Sequence, residues 1–168
     1  ILDLSKVDSG MMKLNMESTS VQDITDDLNN LFIDKANYKG LNFSIDVDDR
    51  ITSYFLTDPL RLKQILTNFN SNSFKFTLEG SVVLKIQLLT EDNHSICLRF
   101  QVIDTGIGIV EDALEKIFIA FEQGEDSITK KFGGTGLGLA IVKRIAALLN
   151  GRVFASSEYG KGSIFSFE

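Results

Sequence analysis

LTNFNSNSFKFT, residues 66–77, decides how this chain is read. Two stripes interleave in it at helical spacing. Leu62, Ile65, Leu66, Phe69 and Phe76 make an apolar face, and Gln64, Asn68, Asn72 and Lys75 make a polar one. Asp58-Pro59 opens the same helix, with a capping side chain followed by proline in the first turn. The helix therefore runs from about 59 to about 76. It is too polar on one side to be buried all round, so it covers something apolar with the other side.

Working outward, the neighbouring segments supply what it covers. Upstream, residues 1–9 read as the tail of a helix ended by Gly10, and 11–19 as a strand. Ser20 with Asp23 forms a capping box for a helix to about Tyr38, with Ile24, Leu28, Leu31 and Phe32 inward and Gly40 at its end. Strands are expected at 41–47 and 52–56. Downstream, strands at 81–89 and 95–103 form a hairpin around Glu91-Asp92-Asn93. A short helix covers about 111–118. A long one spans about 136–149, with Leu137, Ile141, Ile145 and Leu148 inward and Asn150-Gly151 as its cap. Strands at 152–157 and 163–167 finish the chain. Helices and antiparallel strands without a βαβ rhythm predict an α+β fold, a two-layer α/β sandwich. Its mixed, mostly antiparallel sheet is covered on one face by three helices.

Composition narrows the function classes. The chain has 168 residues, 43% hydrophobic, with thirteen Phe and one Pro, which suits one domain with a sizeable core. Its net charge of −6 argues against a nucleic-acid backbone as partner. Cys97 is the only cysteine, which excludes a disulfide framework and fits a reducing, cytoplasmic compartment. No apolar run approaches the ~20 residues of a membrane-spanning helix. Ile1 opens in the middle of a pattern and Glu168 stops within a strand-like run, so the expectation is a piece of a longer protein.

Four further motifs follow the first in fixed order: DTGIGI (104–109), IFIAFEQ (117–123), GGTGLGLAI (133–141) and YGKGS (159–163). Asn68, Asn72 and Lys75 share a helix face at i, i+4 and i+7. Amide oxygens are hard, neutral ligands suited to Mg²⁺, and a lysine one turn on can meet a phosphate as a point charge. A solvated face is the commoner use of such a stripe. Asp104 continues the parity of Ile96, Leu98, Phe100 and Val102, so its carboxylate faces the apolar, helix-covered side and needs a donor there. Capping of the turn by a surface Asp is the plainer alternative. Glycines ahead of the last long helix leave N–H groups for an anion. Neither Gly-rich loop matches a dinucleotide or P-loop pattern, since G-x-G-x-x-G and G-K-[ST] are both missing.

Together these segments resemble the N, G1, F, G2 and G3 boxes of sensor histidine kinases, the ATP-binding catalytic domain of the GHKL superfamily. The resemblance covers nearly the whole chain and implies the same sandwich. It implies ATP and Mg²⁺ as cofactors. Asn72 would be the Mg²⁺ ligand, Lys75 a phosphate contact, and Asp104 the acceptor of the adenine amino group. Gly106 and Gly108 would let backbone approach the purine. Phe121 would anchor a lid of about 119–135 that carries Gln123, Lys130 and Lys131. Gly134, Thr135, Gly136, Leu137 and Gly138 would lie along the phosphates. Position 68 discriminates among relatives: hydrolytic members carry a Glu that activates water, whereas Asn68 cannot act as a base at neutral pH. Catalytic roles therefore fall to Asn68, Asn72 and Lys75 in a kinase, with a GHKL ATPase or a non-catalytic nucleotide-binding module as alternatives.

The resemblance further implies partners. Residues 1–10 would be the tail of an upstream dimerisation hairpin bearing the phosphoacceptor His, and 11–168 the ATP-binding domain. A response-regulator receiver domain would be the later acceptor. The chain itself is expected to be monomeric and its parent a homodimer. The lone His94, at a hairpin tip, and Cys97 receive no role. Asn70, Ser73, Ile119-Ala120 and Lys130 depart from the family pattern, and these departures are expected to leave Asn72, Asp104 and the glycines untouched.

Overall fold

A computed structural model of the chain describes residues 13–52, 54–119 and 137–168. The expected helix starts are present with their caps. Ser20 Oγ accepts from the Asp23 N–H ahead of α1 (Val21–Lys39), and the Gly40 N–H returns to the Ala36 and Asn37 carbonyls at its end. Asp58 caps α2 (Pro59–Phe76) by accepting from the Arg61 N–H. Its second oxygen accepts from the Asn15 N–H at 2.9 Å, tying the segment ahead of Glu17 to the helix start. The Lys39 ammonium donates to the Phe74 carbonyl, so the end of α1 closes the end of α2.

The strands pair as two sheets. β1 (Glu17–Thr19) and β3 (Phe55–Thr57) form a short antiparallel pair. The main sheet has the order β2-β4-β5-β7-β6, from β2 (Asn42–Val47), β4 (Ser81–Glu91), β5 (Ile96–Asp104), β6 (Val153–Glu158) and β7 (Gly162–Phe167). Among the described residues only β2 runs parallel to its neighbour, because α2 carries the chain back between β2 and β4. A register shift interrupts the β4–β5 ladder between Leu88 and Thr90.

One face of the sheet is apolar and covered. Val82, Leu84 and Ile86 on β4, Leu98, Phe100 and Val102 on β5, and Phe165 and Phe167 on β7 meet Leu28 and Phe32 of α1 and Leu62, Ile65, Leu66 and Phe69 of α2. Val142 and Ile145 of a further helix, α4 (Gly138–Leu148), complete that layer. This is the expected two-layer sandwich. The alternating pattern of β5 ends on Asp104, which is buried like Val102 before it.

Several boundaries differ from the sequence expectation. The strand expected from residue 11 is confined to Glu17–Thr19 among the described residues. The short helix, α3, spans only Glu111–Leu114. Val110 offers it no side-chain cap, and the chain continues in i→i+3 turns, with the Lys116 N–H on the Ala113 carbonyl. On α2, Phe74 is buried and Phe76 only half-buried, because Phe74 stacks on Phe32 of α1 with ring centroids 5.3 Å apart. On α4, Ala140, Val142, Ile145 and Ala146 are buried, whereas Ile141 and Leu148 are half-buried. The reading of residues 1–10 as a helix tail falls outside the described residues.

Candidate functional site

The six-residue loop after β5, residues 105–110, is bound on both sides. The Ile107 N–H donates to the Phe76 carbonyl at 3.2 Å, which fixes the loop to the end of α2. The Gly160 N–H donates to the Ile107 carbonyl at 2.8 Å, and the Ile109 N–H to Ser157 Oγ at 2.8 Å, which fix it to β6 and the β6–β7 turn. Gly108 has φ +69°, and a Cβ there would collide with the Glu158 carbonyl. At Gly106 a Cβ would lie 2.6 Å from the Phe76 carbonyl oxygen and 2.9 Å from Asp104 Oδ1. Both glycines thus have a reason within the protein itself: side chains would force the loop off the helix end and the strand end that hold it.

Between this loop, α2 and α4 lies a cavity of roughly 240 Å³. Ile107, Ile109 and Val110 wall it from the loop, Ala113 and Ile117 from α3 and the turns after it, and Leu139 from α4. Its polar members are few. Asp104 and Ser163 lie on the paired ends of β5 and β7, and Asn72 lies on α2. A mostly apolar hollow with a few convergent polar groups suits a flat, partly polar small molecule.

Asp104 is 6% exposed. Its Oδ2 accepts from Ser73 Oγ at 2.8 Å and its Oδ1 from the Gly106 N–H at 2.9 Å. Burial pushes the carboxyl above its ordinary range. Hydrogen bonds from Ser73, Gly106 and the Ser163 backbone pull it back only in part. Ser163 Oγ lies 3.0 Å from Ser157 Oγ. Ser157 already donates its proton to the Gly162 carbonyl and accepts from the Ile109 N–H. The Ser163 hydroxyl therefore donates to Ser157, and its oxygen keeps acceptor capacity. The end of the cavity at β5 and β7 is thus built from acceptors.

The other expected residues distribute as follows. Asn72 lines the cavity, and its Nδ2 donates to Asn68 Oδ1 at 3.2 Å, so its amide oxygen is the acceptor left for a ligand. That single neutral oxygen fits Mg²⁺, which keeps several waters and bridges phosphates. Among the described residues no group of three or more His, Cys, Asp or Glu could hold a metal. Asn68 packs on the start of α4, where a Gly138 Cβ would come within 2.6 Å of its Nδ2. Lys75 lies beside the cavity with Nζ 4.8 Å from the centroid of the Phe76 ring, itself part of the lining. Leu137 is 4% exposed and belongs to the core. Among the described residues no side chain caps the N-terminus of α4, and N–H groups at such a helix start suit an anion. Phe121, Lys130, Lys131, Gly134, Thr135, Gly136 and the lid expected at about 119–135 fall outside the described residues, apart from Ile119, which is 44% exposed.

One expectation is corrected. The departure at 73 does not leave Asp104 untouched, because the Ser73 hydroxyl is one of the groups that clamp its carboxylate. Ser73 falls on the apolar stripe of α2, between Phe69 and Phe76. A hydroxyl on such a stripe is the signal that a buried partner exists. Tyr159, the first residue of YGKGS and given no role of its own above, stands on the β6–β7 turn at the cavity wall. A larger hollow of roughly 530 Å³ opens at the opposite end of the sheet beside His94, and it contains none of the candidate residues.

Residues 57–168 match the family model of histidine kinase-, DNA gyrase B-, and HSP90-like ATPases. The chain is 37% identical over 167 residues to hybrid signal transduction histidine kinase B of Dictyostelium discoideum, spanning 99% of this chain and 8% of that protein. It is 38% identical over 165 residues to sensor histidine kinase GacS of Pseudomonas protegens, spanning 98% of this chain and 18% of that one. It therefore covers less than a fifth of either relative. Among solved structures, full-length ShkA in complex with AMPPNP superposes with a TM-score of 0.84 at 33% identity, over 99% of this chain and 33% of that one. The catalytic domain of histidine kinase ThkA shares the fold, with a TM-score of 0.73 at 24% identity, over 92% of this chain and 96% of that one. The chain belongs to the family of histidine kinase-, DNA gyrase B- and HSP90-like ATPases, and its domain is of the histidine kinase catalytic type.

Proposed function

We propose that this chain binds Mg·ATP and transfers its γ-phosphoryl group to a histidine on a separate helical domain. The observation that carries the reading is the clamped Asp104 carboxylate at the end of an apolar cavity, with Asn72 at the cavity wall and an amide at position 68. Asp104 would accept from the adenine amino group, while Ile107, Ile109 and Ile117 close on the ring. Asn72 would hold Mg²⁺ through its amide oxygen, and the metal would neutralise phosphate charge during transfer. The N-terminus of α4 would face the phosphates. Asn68 supplies no base to activate water, so the γ-phosphoryl group waits for a stronger nucleophile. Catalysis by these residues is then mainly positioning and charge neutralisation. The imidazole nitrogen forms the new N–P bond as the bond to ADP breaks.

In this reading residues 1–10 end an upstream dimerisation hairpin, 11–168 form the ATP-binding domain, and a receiver domain takes the phosphoryl group next. The parent protein would be a homodimer working in the cytoplasm. Among the described residues no helix is long and apolar enough to cross a membrane.

Calorimetry with ADP tests the site. Asp104→Ala is expected to weaken ADP by about 2–4 kcal/mol, the range for losing one side of a buried charged hydrogen bond. Wild-type affinity in that variant would remove the adenine assignment. Asn72→Ala is expected to abolish transfer to a supplied His-bearing domain while ADP binding persists in part. Transfer that survives would rule out Asn72 as the metal ligand. Rapid ATP turnover without transfer would place the chain with the hydrolytic branch instead.

A further inference from the structure

Ser73 is 1% exposed on α2, one residue past Asn72, and does not line the cavity. It reaches Asp104 from the protein side, with Oγ donating to Oδ2 at 2.8 Å across 31 residues of sequence. The Gly106 N–H holds Oδ1 at 2.9 Å. A carboxylate offers two oxygens with about four lone-pair sites. Here each oxygen is engaged by a different element, α2 for one and the loop after β5 for the other. These two anchors on two oxygens, with the Ser163 N–H of β7 as a further donor, fix the plane of the group as well as its position. What acceptor capacity remains is directed at the cavity.

Removing the hydroxyl would change that in a specific way. Oδ2 would lose its hydroxyl donor on the buried side, and the carboxylate would turn more freely about its Cβ–Cγ bond, held by the Gly106 and Ser163 N–H groups alone. The walls of the cavity would be unaffected, since Ser73 contributes none of them. An effect at position 73 would therefore fall on what Asp104 recognises and not on how the ring is enclosed.

We propose that Ser73 is a positioning residue for specificity: it locks the Asp104 carboxylate as a fixed acceptor and so sets the preference for 6-amino over 6-oxo purine nucleotides. This rests on the adenine reading above. A fixed acceptor rewards a ligand that brings a donor and penalises one that brings a carbonyl, because two buried acceptors facing each other leave both unpaired. A carboxylate free to turn loses part of both the reward and the penalty.

The test compares ADP with IDP, which carries a carbonyl in place of the amino group, on the whole 168-residue chain. Calorimetry is run on wild type, Ser73→Ala and Ser73→Thr. Wild type is expected to prefer ADP by at least about tenfold. In Ser73→Ala, ADP affinity is expected to fall about tenfold while IDP affinity holds, so the ratio collapses. Ser73→Thr, which keeps a hydroxyl, restores the ratio. Equal weakening of both nucleotides in Ser73→Ala, with the ratio preserved, would reduce Ser73 to a packing residue and overturn the proposal. A second readout does not depend on ligand: the ¹³Cγ resonance of Asp104 in the nucleotide-free chain is expected to move in Ser73→Ala and to stay near wild type in Ser73→Thr. An unmoved resonance in Ser73→Ala also overturns the proposal. If wild type itself fails to separate ADP from IDP, the adenine reading falls and takes the proposal with it. That outcome is distinct from an intact wild-type ratio that ignores position 73.

Discussion

At the scale of single residues, Asp104 carries the sharpest consequence. Desolvation raises its pKa above the ordinary 3.8, against the pull of Ser73 and the Gly106 and Ser163 N–H groups. A raised acid binds its proton more tightly in the folded state than in the unfolded one. Acidification toward and through the folded-state value therefore favours the folded form, and that benefit is lost as pH rises. Wild type is expected to gain stability relative to Asp104→Asn as pH falls from neutral, starting above the usual carboxylate range. Denaturant unfolding across that window checks it, and a pH-independent difference would contradict it. Asn70 poses the opposite case. It is fully buried, its Nδ2 donates to the Leu66 carbonyl at 2.9 Å, and its Oδ1 has no hydrogen-bond partner among the described residues. Asn70→Leu should stabilise the chain by about 1–2 kcal/mol, by removing a desolvated acceptor from the core. A lower unfolding midpoint with an unchanged m-value would show that the extra volume outweighs that gain. The orientation of Asp104 was legible from the parity of β5. Its partner was not, because 31 residues separate Ser73 from it and only packing brings α2 over the end of the strand.

At the scale of elements, chemistry that acts locally was the most legible. Ser20 with Asp23 and Asp58 with Pro59 announce helix starts through caps, and the structure keeps both. Stripes were less legible, because α2 is buried on more than one side. It meets α1 through Phe74 and the sheet through Leu66 and Phe69, so its apolar arc is wider than one periodic stripe. The clamp between the loop after β5 and the β6–β7 turn could not be read from sequence, since it is built from backbone groups. Its weak point is still a named residue. Gly108→Ala would meet both a positive φ and the Glu158 carbonyl. The expected cost is on the order of 2 kcal/mol. ADP affinity should fall with it, because Ile107 and Ile109 move with the loop. Parallel unfolding and calorimetry would decide: a stable Gly108→Ala chain with normal ADP affinity would show that the clamp does not shape the cavity.

At the scale of the whole molecule, the placement of the one histidine separates this domain from its acceptor. His94 sits at the tip of the β4–β5 hairpin, where Asp92 Oδ1 accepts from the His94 and Ser95 N–H groups. Asp104 and the cavity lie at the other end of β5. At about 3.3 Å per residue the strand holds the two ends about 30 Å apart. A γ-phosphate bound in the cavity extends only a fraction of that distance from the ring, so His94 of the same molecule lies out of reach. Asn68 adds the second constraint, since an amide gives water no base and slows the alternative outlet for the phosphoryl group. The chain incubated alone with labelled Mg·ATP should therefore form no phosphohistidine and turn over far more slowly than a typical enzyme at ~10 s⁻¹. Adding a His-bearing helical domain should produce acid-labile label on that domain and none on residues 1–168. Label placed on His94 within one molecule would contradict the separate-acceptor mechanism, because the sheet would then have to bring its two ends to one site. Because transfer between two copies could also label His94, the measurement is repeated at decreasing chain concentration. A labelling rate per chain that stays constant on dilution would mean transfer within one molecule, which the rigid span of β5 forbids.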